Sequence, residues 1–269
     1  MKPFAISIFA LLVGQASAAL IIYESFDDSD ATLNGNASGT GLSGNWSSEG
    51  GNNITSGSLS WGSLATSGNQ VINVGGNFQE ASVSTGTTLT SGGHLNNGAV
   101  LWFSFLAQSV SSGRTYMTIG TGGPDGFDRI GGGGGMGLGV RLENGNVHAH
   151  GWDGSAQKPA GTAVSNGTVF VVGRITWSAD DLTNDTLEIF LPGTDLVLPG
   201  SAASTLSHNF TQAGQLGFTT LGFAGSTPPI PNVDEIRFGT SYLDVAPVPE
   251  PSTALLTCLA VFGLLRRRR

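Results

Sequence analysis

The stretch Leu101-Trp102-Phe103-Ser104-Phe105 decides the fold. In a β-strand successive side chains point to opposite faces, so its odd-numbered residues share one face and its even-numbered residues share the other. Three large apolar side chains on one face predict a strand buried on at least that side, at the centre of a sheet. Short runs of this kind recur between Gly, Ser, Asn and Thr residues, a pattern typical of a β-sandwich or barrel.

Outward from this stretch, the same alternation predicts further strands. Glu143-Asn144-Gly145-Asn146 lies between two of them and predicts a hairpin, because a type I′ turn needs positive φ at both central residues. No long amphipathic helix is predicted between Ala19 and Pro247. The predicted strands are Ala19–Phe26, Gln70–Val74, Ala99–Ala107, Arg114–Ile119, Met136–Leu142, Val147–His150, Thr168–Trp177, Thr186–Leu191, Gln215–Phe223 and Val233–Phe238.

The N-terminus has the three parts of a secretory signal. Lys2 supplies a positive charge, residues 4–13 form an apolar run, and Ala16-Ser17-Ala18 is a small-residue cleavage pattern. The run is too short to cross a membrane of about 30 Å as a helix. We therefore expect residues 1–18 to be a signal peptide, removed after Ala18 so that Ala19 begins the exported protein.

The C-terminus carries a second patterned segment. Val248-Pro249-Glu250-Pro251 precedes an apolar run that ends at Leu265, and the arginines Arg266, Arg267, Arg268 and Arg269 follow. As a helix, residues 252–265 would be about 21 Å long, so spanning requires local bilayer thinning and snorkelling of the arginine side chains. We expect a short transmembrane helix whose arginine cluster, residues 266–269, stays cytoplasmic by the positive-inside rule.

The order of motif, apolar helix and arginines resembles the PEP-CTERM sorting signal of Gram-negative bacteria. The resemblance covers the last 22 residues. It implies that the tail holds a precursor in the inner membrane until a membrane protease, the exosortase, cuts near the Pro-Glu-Pro motif. It also implies a destination at the cell surface or in the extracellular matrix, and it says nothing about the activity of the domain that precedes it.

Scattered segments of the preceding domain resemble concanavalin A-like, or laminin G-like, jelly rolls. They include the opening residues 23–28, residues 170–175, and the closing Val233-Asp234-Glu235-Ile236-Arg237-Phe238-Gly239-Thr240. This resemblance implies two packed antiparallel sheets. With the strand pattern, it predicts an all-β jelly-roll sandwich over residues 19–243, followed by an exposed linker at 244–251 that holds the sorting motif.

Charge is unevenly distributed along the chain. The net charge is −8, but five of the eleven basic residues lie in the two terminal segments. Residues 19–247 contain six basic and eighteen acidic residues, a net charge of −12, which argues against nucleic acid and anionic lipid as partners. The single cysteine, Cys258, lies in the C-terminal apolar run, so the domain forms no disulfide and no thiolate metal site.

No catalytic array is evident in the sequence. A glycosidase needs two carboxylates about 5 to 9 Å apart around the scissile bond. Asp234 and Glu235 are adjacent and should point to opposite faces of a strand, and the acidic residues within 180–188 begin in a loop. No Gly-x-Ser-x-Gly elbow of a serine hydrolase occurs.

The sequence offers candidate residues for two kinds of metal site. His148 and His150 share one strand face and could bind a metal with a third ligand, although such a pair is also typical of a strand that faces solvent. Two acidic turns offer the hard oxygen ligands that calcium prefers, but ordinary solvated turns have the same composition. The candidate calcium ligands are Asp27, Asp28 and Asp30 in the first turn, and Asp125 and Asp128 in the second.

The sequence favours a non-enzymatic surface or matrix protein, acting as a carbohydrate-binding or structural module in exopolysaccharide, with no cofactor besides the candidate calcium. Trp46, Trp61 and Trp152 lie in Gly-rich segments where an exposed indole could stack on a sugar ring, although a buried, hydrogen-bonded indole fits as well. The alternative is a polysaccharide-cleaving enzyme, a glycoside hydrolase or lyase, whose catalytic groups converge from separate strands.

Overall fold

The computed structural model describes residues 20–28, 32–48, 51–73, 79–109, 112–121, 135–226 and 232–247. Among these residues, no helix has the length and apolar character needed to span a bilayer. Several predicted features lie outside the described residues: the signal peptide with Ala16, Ala18 and Ala19, the sorting motif Val248, Pro249, Glu250 and Pro251, the apolar helix at 252–265, and Arg266, Arg267, Arg268 and Arg269.

Two antiparallel sheets contain the strands of the described residues. The first consists of β1 (Leu20–Glu24), β3 (Asn52–Ser56), β4 (Asn69–Asn73), β6 (Val100–Ser109), β12 (Gly167–Thr176), β13 (Asp185–Phe190), β14 (Ser204–His208) and β16 (Val233–Gly239). The second consists of β2 (Ser43–Ser48), β5 (Gln79–Ser84), β7 (Arg114–Gly120), β8 (Met136–Glu143), β9 (Asn146–Asp153), β10 (Ala156–Gln157), β11 (Thr162–Ala163) and β15 (Thr220–Ser226).

The strand order is that of a jelly-roll sandwich. The strand order of the first sheet is β14-β13-β12-β6-β16-β4-β3, and β1 also pairs with β16. The strand order of the second sheet is β10-β9-β8-β7-β15-β5-β2, and β11 also pairs with β9. Half of the strand pairings join strands that are distant in sequence. The predicted all-β, two-sheet fold is confirmed, and the described helices α1 (Thr88–Ser91), α2 (Gln212–Gln215) and α3 (Tyr242–Val245) have one turn each.

The strand that decides the fold occupies the centre of the first sheet. β6 pairs with β12 on one side and with β16 on the other. Leu101, Phe103 and Phe105 are at most 1% exposed and enter the core between the sheets, where the ring of Phe103 lies 5.7 Å from that of Phe238. The alternation is as predicted, since Trp102 points to the opposite face.

That opposite face, the outer face of the first sheet, is also closed. Trp102 joins a second apolar cluster with side chains from the segments 57–68 and 191–203 and from α3. The exposed linker predicted to begin at Asp244 is therefore wrong for its first residues. Asp244 caps α3, Val245 and Ala246 are buried in the cluster, and the carbonyl of Val245 accepts a hydrogen bond from the Ser104 hydroxyl at 2.6 Å.

Some strands were not predicted because they carry too few apolar residues. β2, β3 and β14 lie at sheet edges and have polar sequences such as Asn52-Asn53-Ile54-Thr55-Ser56. The predicted strand at 215–223 also differs from the structure. Its start belongs to α2, where the Thr211 hydroxyl accepts a hydrogen bond from the Gly214 amide, and β15 begins only at Thr220.

The contact between Gly173 and Phe103 allows a test of the core packing. A Cβ atom on Gly173 would lie 2.0 Å from the ring of Phe103, which is 1% exposed and has no room to move. We expect Gly173→Ala to lower the free energy of unfolding by about 2 kcal/mol through overpacking. Urea unfolding measures the change, with Gly200→Ala as the matched control, because a Cβ there meets no atom within 4 Å. Equal stability of the two variants would contradict the packing described here.

Candidate functional site

The face of the second sheet that points away from the core carries the candidate site. In register across β7, β8 and β9, Tyr116 lies opposite Arg141, which lies opposite His148. The next row is Thr118, Gly139 and His150, and the third is Gly120, Gly137 and Trp152. The middle position is Arg141 in the first row and glycine in the other two, so the strip has no β8 side chain beside the rings of His150 and Trp152, and its second row is buried. We call it the outer strip.

The rings of the outer strip contact one another and the guanidinium group. The centroids of the Tyr116 and His150 rings are 5.8 Å apart, and the Arg141 guanidinium carbon lies 5.4 Å from the Tyr116 centroid, a cation–π distance. Tyr116 and His150 are buried, whereas Trp152 is half-buried at the other end. The indole N–H of Trp152 makes no hydrogen bond within the described residues.

The imidazole of His150 is neutral at physiological pH. Burial lowers its pKa to about 4, and the charges of Arg141 and Lys158 add to the shift. A weaker contact with the Gln157 backbone opposes it, but neither ring nitrogen makes a hydrogen bond of good geometry within the described residues. The surroundings that keep the imidazole neutral also oppose its protonation, so His150 is a weak base in this structure.

A cluster of basic side chains, which we call the basic corner, lies at the other end of the outer strip. Glu143 accepts from Arg114 Nε at 3.0 Å, from Lys158 Nζ at 2.7 Å, and from Arg141. Burial raises the pKa of Glu143, but hydrogen bonds from Lys158 and Arg141 outweigh it and lower the pKa to about 2. One ionised carboxylate thus faces three cations, and the corner has an excess of positive charge.

The structure brings Asp234 and Glu235 together, which the sequence did not predict. Glu235 has φ 55°, and the register between β16 and β6 shifts by one residue there, so this β-bulge turns both carboxylates to the outer face of the first sheet. The Ser58 hydroxyl lies 2.5 Å from Asp234 Oδ2 and 3.4 Å from Glu235 Oε1. The prediction that the two side chains point to opposite faces is therefore wrong.

This acidic pair is sealed from solvent and fully bonded, so it does not form a glycosidase site. Both residues are 0% exposed. Asp234 accepts from the amides of Leu59 and Glu235, and Glu235 accepts from the Ser67 amide, the Tyr23 hydroxyl and Arg237. The pair ties the segment 57–68 to the first sheet and has a structural role.

Two of the three candidate tryptophans are anchored within the fold. Trp46 is 1% exposed and donates its indole N–H to Glu24 at 2.8 Å, so the structure shows the buried, hydrogen-bonded alternative for this residue. Trp61 is half-buried against the second apolar cluster and donates to the carbonyls of Pro192 and Gly193 at 3.2 Å. Trp152 alone of the three lies on the outer strip.

The candidate metal ligands do not converge within the described residues. Asp27 and Asp28 line a pocket of about 210 Å³ with Glu24, Ser38 and Gly39, and Glu24 is already bonded to Trp46 and two amides. Asp30, Asp125 and Asp128 lie outside the described residues. No group of three or more His, Cys, Asp or Glu side chains that could hold a metal occurs among the described residues. Calcium stays a proposal, which melting with calcium and then with a chelator tests.

The other predicted acids and histidines have structural partners. Asp185 is buried and accepts from the amides of Ser178 and Phe210, while Glu188 pairs with Arg174. His148 and His150 share one face as predicted. His148 Nδ1 lies 3.0 Å from the carbonyl oxygen of Pro159, and His150 is 1% exposed, so it does not face solvent.

Sequence reasoning missed Tyr116, Arg141 and Glu143. A signal for them exists in the alternation of two predicted strands, since polar residues or glycines occupy the positions of Arg114–Gly120 and Met136–Glu143 that lie opposite the core residues. The alternation predicts which residues share a face of one strand. It does not predict that β7, β8 and β9 are neighbours. That pairing places Tyr116 and Arg141 in one row and Glu143 in the next.

Comparisons with known proteins give likenesses of fold. No family model matches the chain, and no curated protein matches its sequence. Among solved structures, an endo-β-1,4-glucuronan lyase from the fungus Trichoderma reesei is 14% identical, with a TM-score of 0.45 over 84% of this chain and 98% of that one. A protein of unknown function with a galectin-like fold from Bacillus subtilis is 11% identical, with a TM-score of 0.45 over 82% and 96%.

A third similar structure is the PL-14 alginate lyase from Aplysia kurodai, 9% identical with a TM-score of 0.42 over 71% of this chain and 83% of that one. Similarity at this level assigns no activity to the chain. The class of the protein is that of its architecture, a two-sheet jelly-roll sandwich.

Proposed function

We propose that this chain is an exported protein whose jelly-roll domain binds polysaccharide outside the cell through the outer strip of the second sheet. The outer strip itself is the observation that carries the proposal. It combines a half-buried indole, two β8 glycines and a guanidinium group, the mixture of apolar surface and hydrogen-bond donors that sugar rings require. The outer face of the first sheet is covered by its own apolar cluster.

A glycan-binding screen of the full-length chain tests this function, run beside an assay for released sugar ends. Binding without release is the expected result, because the strip holds its most reactive groups, Tyr116 and His150, below the surface. Absence of binding to every polysaccharide would contradict the proposal.

The second candidate function is cleavage of an acidic polysaccharide by β-elimination. The adjacency of Arg141, Tyr116 and the neutral His150 favours it. An arginine can neutralise a sugar carboxylate while a base removes the neighbouring proton, the glycosidic C–O bond breaks, and a phenol protonates the leaving oxygen. Because both candidate proton-transfer groups are buried, binding without cleavage stands first. Release of unsaturated sugar ends would establish the second function instead.

Export and anchoring are part of the same proposal, with an exosortase-like protease and the inner membrane as transient partners. They rest on the signal-like N-terminus and the tail. Deleting residues 252–269 is expected to turn a membrane-associated precursor into a freely released domain, because the apolar run and the arginines are the membrane-directed features that remain after signal cleavage. Fractionating cells and medium measures the change. A truncated chain that still sediments with membranes would contradict the anchoring role.

A further inference from the structure

The basic corner is a positively charged cluster in a domain whose net charge is negative. Residues 19–247 carry a net charge of −12 with only six basic residues, yet Arg114, Arg141 and Lys158 meet at the basic corner. Of the other basic residues, Arg174 and Arg237 pair with carboxylates on the first sheet, and Arg129 lies outside the described residues. Half of the domain's cations therefore face one end of the outer strip.

Hydrogen-bonding capacity remains at this corner. Glu143 is the one carboxylate that contacts the three cations among the described residues, and Glu80, on the same face, lies two strands away from Tyr116. An arginine offers five N–H donors and a lysine three, more than Glu143 can accept. Arg141 Nε, which is buried, makes no hydrogen bond within the described residues. The donors that remain on the partly exposed Arg114 and Lys158 side chains suit a second carboxylate from a ligand.

The corner is also accessible from solvent. The side chains of Arg114 and Lys158 are 54% and 34% exposed, whereas those of Arg141 and Glu143 are 11% and 12% exposed below them. From the row of Glu143 to the row of Trp152, the strip extends over six residues of β9, about 20 Å. The middle of the strip is buried, so a chain of several sugars of this length would contact its two ends, with acidic groups at the corner and a ring against the half-buried indole.

We infer that the ligand of the outer strip is an acidic polysaccharide, whose sugar carboxylates bind the basic corner formed by Arg114, Arg141 and Lys158. This inference rests on the proposed function and specifies its ligand class. Charge-assisted bonds between guanidinium or ammonium groups and carboxylates are the strong kind of hydrogen bond, and arginine can hold a carboxylate with two of them. The acidic remainder of the domain would repel such a polymer elsewhere and so restrict it to this corner.

The test compares two forms of one polymer. The full-length chain in mild detergent is titrated with polygalacturonate and with the same polymer after its carboxylates have been reduced to alcohols. We expect the acidic form to bind at least about tenfold more tightly, and the difference to shrink as salt is added, since exposed charges are screened. A sulfated polymer forms a third arm, and preference for it over polygalacturonate would overturn the carboxylate assignment.

Variants of the corner locate the binding. The double variant Arg114→Gln, Lys158→Gln removes two exposed cations and is expected to weaken polygalacturonate binding about tenfold. Arg174→Gln, a partly exposed and paired arginine of the first sheet, is the matched control and should bind as the wild type does. Glu143→Gln is expected to bind more tightly, because it removes the competing carboxylate, and a melting curve checks that it folds.

The outcomes separate the two proposals. Equal binding of the acidic and the reduced polymer, with no effect of the double variant, would overturn the inference and leave polysaccharide binding in place. Binding of neither polymer, nor of any other glycan in the screen, would overturn the proposed function itself.

Discussion

Replacing Asp234 by alanine is expected to lower the free energy of unfolding by about 3 kcal/mol. The substitution leaves the buried amides of Leu59 and Glu235 and the hydroxyl of Ser58 without their acceptor. It also releases the segment 57–68, whose Leu59 and Leu64 cover the outer face of the first sheet. Urea unfolding followed by circular dichroism measures the loss.

Asp195→Ala is the control, because Asp195 is exposed and bonds only to the neighbouring Val197 amide among the described residues. It should change the stability by less than about 0.5 kcal/mol. A similar loss of unfolding free energy in both variants would contradict the stabilising role of the hydrogen bonds to Asp234.

The same carboxyl group gives the stability a dependence on pH. Burial, assisted by the charge of Glu235, raises the pKa of Asp234 to about 7, against about 4 in the unfolded chain. Between these values the native state holds the proton that the unfolded state has lost, so stability falls as pH rises and levels off above about 7. The buried, neutral His150 gives stability the opposite dependence on pH, so the Asp234 contribution is measured by comparison: wild type should exceed Asp234→Asn in stability by more at about pH 5 than at about pH 8.

Replacing Trp152 by alanine is expected to weaken polysaccharide binding about tenfold, equivalent to about 1.4 kcal/mol. The half-buried indole at the end of the outer strip would otherwise contact a sugar ring with its exposed part. Isothermal titration with the best ligand of the glycan screen measures the effect.

Trp61→Ala is the matched control, since Trp61 is a half-buried tryptophan on the opposite side of the sandwich. We expect it to lower stability through its lost packing and to leave affinity unchanged. If Trp61→Ala weakened binding and Trp152→Ala did not, the ligand would lie on the first sheet.

The fold class could be predicted from the sequence because strands with one buried face have apolar residues at every second position. The alternation in residues 101–105 predicts a central strand with one face in the core, and Asn144-Gly145 predicts the hairpin between β8 and β9, where both residues have positive φ. Edge strands such as β3 leave a weaker trace, because their polar residues resemble those of loops.

The sequence predicted His148, His150 and Trp152 as candidate residues, but it could not predict which residues of β7 and β8 lie beside them, because that depends on strand pairing. Tyr116 and His150 are 34 positions apart in the numbering and meet only because β8 lies between their strands. The bulge at Glu235 reverses the direction that alternation assigns to that side chain, and no residue type at this position announces it. Strand order and bulges arise from the packing of the whole sandwich.

Hydrogen–deuterium exchange of the full-length chain, with and without bound polysaccharide, shows which face of the sandwich the ligand covers. We expect new protection in peptides covering Arg114–Gly120, Met136–Glu143 and Asn146–Asp153, which form the outer strip and its basic corner. Peptides of the segments 57–68 and 191–203 should exchange as in the free protein. Protection confined to those two segments, with none on β7, β8 and β9, would contradict the assignment of the binding face.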